Sequence, residues 1–235
     1  MAYALGMLTK RTYEDGCAAA HALNLVGERW ALLVVRELLL GPKRFSDLRG
    51  GLPGISPNVL AQRLRDLEAS GVVRREQLPP PAASWVYGLT PWGQELEPVL
   101  QNLGRWGARS PSRPAEAPIS QATLISALKT MFSPGAAGDL RAQLALQSGR
   151  EHFTVQIEAG RLSITRGRAP APQASLQGDP AELGALILGR QPLAEAERGG
   201  LQANGDRVLL ERFTGLFPMP APVEPTGGET CSVPL

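Results

Sequence analysis

Cysteine and histidine are nearly missing from this 235-residue chain, with two of each. Two cysteines, Cys17 and Cys231, cannot staple a disulfide-rich scaffold. Two histidines, His21 and His152, leave little for imidazole catalysis. Cys17 and His21 fall on one helical face, but two ligands do not make a structural zinc site. Lysine is scarce as well: Lys10, Lys43 and Lys129 stand among 24 basic residues set against 22 acidic ones. A net charge of +2 excludes a strongly cationic nucleic-acid coat and an acidic tail, but not a localised basic face. No apolar run reaches the roughly 18 residues that span a bilayer. The longest, within 31–40, is broken by Arg36-Glu37. The N-terminus lacks a signal-peptide core, because Lys10, Arg11, Glu14 and Asp15 follow a short mixed stretch. A cytoplasmic chain with no membrane contact is therefore expected.

Catalytic signatures are absent too. Gly50-Gly51-Leu52-Pro53-Gly54 has neither the spacing nor the lysine of a phosphate-cradling loop. Gly54-Ile55-Ser56-Pro57-Asn58 lacks the final glycine of a nucleophile elbow. Glu95 and Glu97 lie on a solvated helix, with no apolar pocket implied around them. The expectation is a protein that is not an enzyme and carries no cofactor or metal.

What is present divides the chain in two. Residues 107–118 are rich in proline with small and polar residues, the composition of a semi-extended linker. Four segments follow: 1–107, a Pro-rich linker at 108–118, a second domain at 119–217 and a loose tail at 218–235. Residues 1–110 carry 13 basic and 10 acidic residues. The excess positive charge therefore lies in the first half.

The first half reads as mostly α. Residues 17–26 put Ala18, Ala22, Leu25 and Val26 on one face. Residues 30–40 are apolar almost all round and should form a buried helix that Gly41-Pro42 stops. Residues 44–49 make a short helix with Phe45 and Leu48 inward, followed by a glycine-rich turn at 50–54. Ser56 and Pro57 then open a helix running to Ser70, with Gly71 as its terminator. A strand from Val72 and a partner at 85–89 flank a proline-stiffened loop. Thr90-Pro91 starts a helix to about Trp106.

On a helical wheel Leu60, Leu64 and Leu67 cluster inward, while Asn58, Gln62, Arg65 and Ala69 line the opposite side. Asn and Gln can pair bidentately with adenine and Arg with guanine. A short helix, a turn and a capped helix with that outer stripe suit a major groove. Arg74 and Arg75 begin a hairpin that could follow a phosphate backbone or minor groove, and Lys43 and Arg44 are further phosphate candidates. A polar stripe opposite leucines is also what any solvated helix face looks like.

Several segments together resemble the HxlR family of winged helix-turn-helix regulators. They are Val26-Gly27-Glu28-Arg29-Trp30, Arg36-Glu37-Leu38-Leu39-Leu40-Gly41, Arg44-Phe45-Ser46-Asp47-Leu48, Gly54-Ile55-Ser56-Pro57-Asn58-Val59-Leu60, Arg63-Leu64-Arg65-Asp66-Leu67-Glu68 and Leu89-Thr90-Pro91-Trp92-Gly93. The resemblance covers roughly residues 10–107. It implies a homodimeric transcriptional regulator, taken as a repressor, on a pseudo-palindromic double-stranded DNA operator. The dimer would be built from the first helix and the helix after the wing. The implied DNA-binding residues are Arg44, Ser46, Ser56, Pro57, Asn58, Gln62, Arg63, Arg65, Arg74 and Arg75. Members often carry Cys-Pro at the start of the first helix, and several sense redox state there. Here Cys17 is followed by Ala18, and Glu14 and Asp15 oppose a lowered thiol pKa. A redox regulator through Cys17 and an inert packed cysteine both stay open.

The second half alternates with period two over 140–146, 153–157 and 162–164, with Ala159-Gly160 as a hairpin turn. Ala174-Ser175-Leu176 is a candidate fourth strand. Helices are expected at 119–131, after Asp179-Pro180 and at 206–216. The fold class is thus a mostly α winged helix-turn-helix domain followed by an α+β domain, an antiparallel sheet covered by helices. Gly178-Asp179-Pro180-Ala181-Glu182-Leu183, Leu186-Ile187-Leu188-Gly189, Gly199-Gly200-Leu201 and Gly205-Asp206 resemble the sterol-carrier-protein fold over roughly 119–217. That likeness implies an apolar tunnel and a possible apolar small-molecule effector lined by Phe132, Phe153, Ile157, Ile164, Leu186 and Phe213. The same residues would equally build a ligandless core. A protein that chiefly binds hydrophobic small molecules, its winged helix serving protein contacts, is the alternative from another class.

Overall fold

The computed structural model describes residues 12–114 and 117–224. Of the tail expected at 218–235, the part beyond Glu224, with Cys231, lies outside the described residues, as do Lys10 and Arg11. The chain packs as two units, Met1–Glu97 and Pro98–Leu235, so the Pro-rich stretch falls inside the second.

In the first unit α1 (Ala18–Val26), α2 (Ala31–Leu38), α3 (Phe45–Gly51) and α4 (Pro57–Ala69) precede a hairpin of β1 (Val73–Gln77) and β2 (Trp85–Leu89), then α5 (Pro91–Gln94). The core is the apolar face of α2 (Ala31, Val34, Val35 and Leu38) against Leu48, Leu52, Leu60, Leu64 and Leu67. α1 contributes only Val26; of the others expected on its face, Leu25 is half-buried and Ala18 and Ala22 are exposed. The glycine turn is shorter than expected. Gly50 and Gly51 complete α3, and only Leu52, Pro53 and Gly54, with φ +87° at Gly54, turn the chain.

The helix expected from Pro91 to Trp106 is broken at Glu95 into α5 and α6 (Leu96–Gly107). Pro98 is the reason: it has no N–H to give the carbonyl of Gln94 four residues back.

The second unit continues from α6 with α7 (Gln121–Met131), α8 (Pro134–Ala137), β3 (Ala142–Ser148), β4 (Glu151–Glu158), β5 (Arg161–Arg166), β6 (Ala174–Gly178), α9 (Pro180–Ile187), α10 (Leu193–Arg198), β7 (Gln202–Gly205) and α11 (Arg207–Thr214). Ala159 and Gly160, with φ of +50° and +68°, form the hairpin turn between β4 and β5. Both signs suit a tight turn that matches strand twist.

The sheet corrects one expectation. Its five strands run β5-β4-β3-β6-β7, and β6 pairs parallel to β3, Leu144 opposite Ala174 and Ser148 opposite Gly178. It is therefore mixed, not antiparallel. Alternation marks a strand and its buried face but says nothing of the neighbour. The connection 167–173 spans up to ~23 Å when extended, enough to bring the chain back to the free edge of β3 and start a parallel strand there. Phe153, Val155, Ile157, Ile164, Leu144, Leu146 and Leu176 are buried with Leu124, Ile125, Leu128, Leu183, Leu186, Ile187, Leu210 and Phe213 from the helices.

Candidate nucleic-acid interface

Asp47 ends α3's entry turn by accepting the Arg44 amide on Oδ2 at 3.3 Å, and Ser46 donates its hydroxyl to Asp47 Oδ1 at 3.2 Å. Arg44 and Ser46 are both exposed. Ser56 caps α4, its Oγ accepting the Val59 amide at 3.3 Å, and Pro57 occupies the first helical position. A cap of this kind stabilises a helix by ~1 kcal/mol, and here it fixes the first turn of the outward-facing helix.

α4 is held by Leu60, Leu64 and Leu67, all within 1% of complete burial. Asn58, Gln62, Arg65 and Ala69 are exposed on the opposite side, as the wheel requires. Two of them are tied together: Arg65 Nη2 donates to Gln62 Oε1 at 2.6 Å, and Gln62 Nε2 donates to Asp66 Oδ1 at 2.8 Å. Such a chain limits rotamer freedom while leaving other donors of the guanidinium outward. Val59, 39% exposed beside Asn58, goes unmarked in the sequence, because valine in a helical pattern reads as core.

Arg63 sits differently. Its side chain is only 15% exposed, and its guanidinium spans Glu28 Oε2 at 3.3 Å and Asp66 Oδ2 at 3.2 Å. It fastens α4 to the α1–α2 turn. Lys43, expected on a phosphate, is likewise turned inward: its Nζ meets Glu37 Oε2 at 2.8 Å, while Arg36 Nη2 meets Glu37 Oε1 at 3.1 Å. Glu37 is 1% exposed. Its carboxylate leaves room for no side chain at Gly51, where an added Cβ would stand 2.8 Å from Cδ and closer to Oε2. Nothing in the sequence flags this buried network, since Arg36-Glu37 looks like an ordinary exposed pair.

The hairpin's two faces diverge. Arg74 Nε pairs with Glu76 Oε2 at 3.3 Å. Arg75, opposite Tyr87 in the register, lies with its guanidinium carbon 4.4 Å from the Trp85 ring centroid and 6.0 Å from that of Tyr87. Lys43 adds a one-residue bridge to Tyr87, its amide donating at 2.9 Å and its carbonyl accepting at 2.8 Å, which anchors the hairpin to the α2–α3 connection.

A family profile described as the HxlR-like helix-turn-helix matches residues 25–114. The HTH-type transcriptional regulator YvaP of Bacillus subtilis is 39% identical over 85 residues, 36% of this chain and 79% of that protein. The chain belongs to the HxlR-like helix-turn-helix family. YodB, another HTH-type transcriptional regulator of B. subtilis, is 39% identical over 85 residues, covering 36% of this chain and 76% of its own. The solved reduced form of YodB is 34% identical, covers 43% of this chain and 99% of that one, and gives a TM-score of 0.38. The family match stops near the Pro-rich stretch, so α7 to α11 and β3 to β7 lie outside it.

Cys17 is the N-cap of α1 and is exposed. The backbone N–H groups of Ala20 and Ala19 hold its thiol below the ordinary range. Asp15, expected to oppose this, uses Oδ1 to accept the Cys17 amide at 2.9 Å.

Farther along, the candidate effector-lining residues Phe153, Ile157, Leu186 and Phe213 are each within 1% of complete burial. Phe217 stacks edge-on against Phe213 at 5.0 Å and lies 6.0 Å from Phe132. Burial of this kind is what a packed core shows as well as a closed apolar tunnel. Among the described residues no group of three or more His, Cys, Asp and Glu could hold a metal ion, and no helix is long and apolar enough to cross a membrane.

Proposed function

We propose that this protein is a DNA-binding transcriptional regulator whose α4 enters the major groove, acting as a homodimer on a two-fold operator. The observation that carries the reading is the two-sided α4: three buried leucines anchor it, and Asn58, Gln62 and Arg65 face solvent. Ser56 and Pro57 start that helix, and Asn58, Gln62 and Arg65 read base edges. Arg44, Ser46 and Arg74 meet phosphates, and Arg75 follows the backbone or the minor groove with its hairpin. Arg63 serves by holding α4 in place. Support for a second copy comes from two helices considered singly. α1 buries only Val26, and α6 buries nothing while exposing Val99, Leu103 and Trp106 along one stripe. Such stripes normally meet a partner.

Selection of bound sequences from a random duplex pool, with light scattering on the purified protein, tests this. A two-fold symmetric consensus bound by a dimer is expected. Binding of all duplexes alike, or a monomer on a single half-site, would overturn it.

Control through Cys17 is a second reading, favoured by the exposed thiol with its lowered pKa at the start of α1. For the second unit we propose a sterol-carrier-like module. The support is an amphipathic sheet packed under α7, α9 and α11, and native mass spectrometry of the purified chain would show any apolar ligand it retains.

A further inference from the structure

The β1–β2 register sets Arg75 opposite Tyr87 and Gln77 opposite Trp85. Opposed and alternate residues share a face of a hairpin, so Arg75 and Trp85, both exposed, cluster there with the half-buried Tyr87. Arg74, next to Arg75 in sequence, lies on the other face and is paired with Glu76. Among the described residues no salt bridge engages Arg75, whose guanidinium rests over the Trp85 ring. Trp85 is itself 49% exposed. A large apolar ring held open to water does nothing for the core, which Val86 and Leu89 of the same strand already serve. Its evident use is to the cation it carries. A guanidinium stacked on a ring keeps its N–H donors free in its own plane. That flat, pre-oriented donor edge suits the narrow, acceptor-lined minor groove of A·T-rich duplex, which attracts arginine.

We propose that Trp85 is a positioning residue that holds Arg75 for insertion into the minor groove flanking the site read by α4, so that Trp85 sets a flanking-sequence preference without touching DNA. This rests on the DNA-binding reading above.

The test uses the full-length protein and the duplex selected from the random pool. Affinities are measured for the wild type, R75A, W85A, W85F and the W85A/R75A double variant. Each is tried on the selected duplex and on two others whose flanking A·T pairs are replaced by G·C or by inosine·C, which lacks the minor-groove amino group. W85A should weaken binding about three- to tenfold, the range expected for a lost cation–π platform. It should lose discrimination between G·C and inosine·C flanks. W85F should keep most of both, and W85A should add nothing in the R75A background. Multiplying effects of W85A and R75A would mean that Trp85 contacts DNA itself and overturn the proposal. So would a wild type indifferent to G·C flanks, or a W85A protein of unchanged affinity and preference. If W85A melts early, W85F and R75A decide between these outcomes. Loss of all sequence preference in the wild type would instead sink the regulator reading, and this one with it.

Discussion

Arg63 and Arg65 are two residues apart in sequence and look alike there, yet they should fail in opposite ways. Arg63 is 15% exposed and bridges Glu28 and Asp66, whose side chains are 48% and 23% exposed. An ion pair open to water contributes ~0–1 kcal/mol, while breaking a fully buried one costs ~3–5 kcal/mol. The Glu28 arm lies near the first limit and the Asp66 arm between the two. Adding the packing of the arginine stem, Arg63→Ala should destabilise the first unit by about 2 kcal/mol. With a denaturant slope of about 2 kcal/mol per molar, its urea midpoint should fall by about 1 M. Arg65 is exposed and donates to Gln62 within its own helix. Arg65→Ala should therefore change stability by less than about 0.5 kcal/mol. It should weaken specific DNA binding by about 1–3 kcal/mol, roughly 5- to 150-fold, and relax one operator position.

The assay pairs urea unfolding with fluorescence anisotropy on the selected duplex and on random duplex. Should Arg63→Ala leave the midpoint in place and lose specific affinity as Arg65→Ala does, the inward placement of Arg63 is wrong and it belongs with the base-reading residues. Equal weakening of Arg65→Ala on random and selected duplex would make Arg65 a phosphate contact.

Gly51→Ala presses a methyl group into the buried Glu37 carboxylate. Overpacking there should cost about 1–3 kcal/mol in urea unfolding, and an unchanged midpoint would show that the carboxylate has room to yield. Cys17, held low by the N–H groups of Ala20 and Ala19, should become thiolate at lower pH than a free cysteine. Its alkylation should rise at a lower pH than that of a free cysteine peptide measured alongside; a profile matching or lying above the peptide's would dismiss it as an activated thiol.

Much of the α4 region is legible in the sequence alone. Ser56, Pro57 and Gly71 mark its ends through chemistry that is local, and the leucine spacing fixes which side faces in. The elements that escaped are those whose cause is not local. β7 is the polar edge strand Gln202–Gly205, which has no apolar alternation to announce it. The parallel entry of β6 depends on which strand edge is free once β4 and β5 have paired. Lys43 and Arg63 carry the residue type of a phosphate contact, and only the burial of Glu37 and the position of Glu28 turn them inward.

This inward turning bears on how the protein would tell one sequence from another. Arg36, Lys43 and Arg63 are neutralised by Glu37, Glu28 and Asp66, and Arg74 is matched by Glu76. Among the described residues of the first unit, Arg29, Arg44, Arg49, Arg65 and Arg75 are exposed and take part in no salt bridge. Phosphate neutralisation supplies the affinity that ignores sequence, and its strength grows with the number of such cations. In the proposed complex, the pairing of Arg36, Lys43, Arg63 and Arg74 should withhold four cations from phosphate neutralisation and so lower non-specific affinity and its salt dependence. On that proposal the ratio of specific to non-specific binding should rest more on α4's base contacts and on the joining of two half-sites than it would with those four cations free.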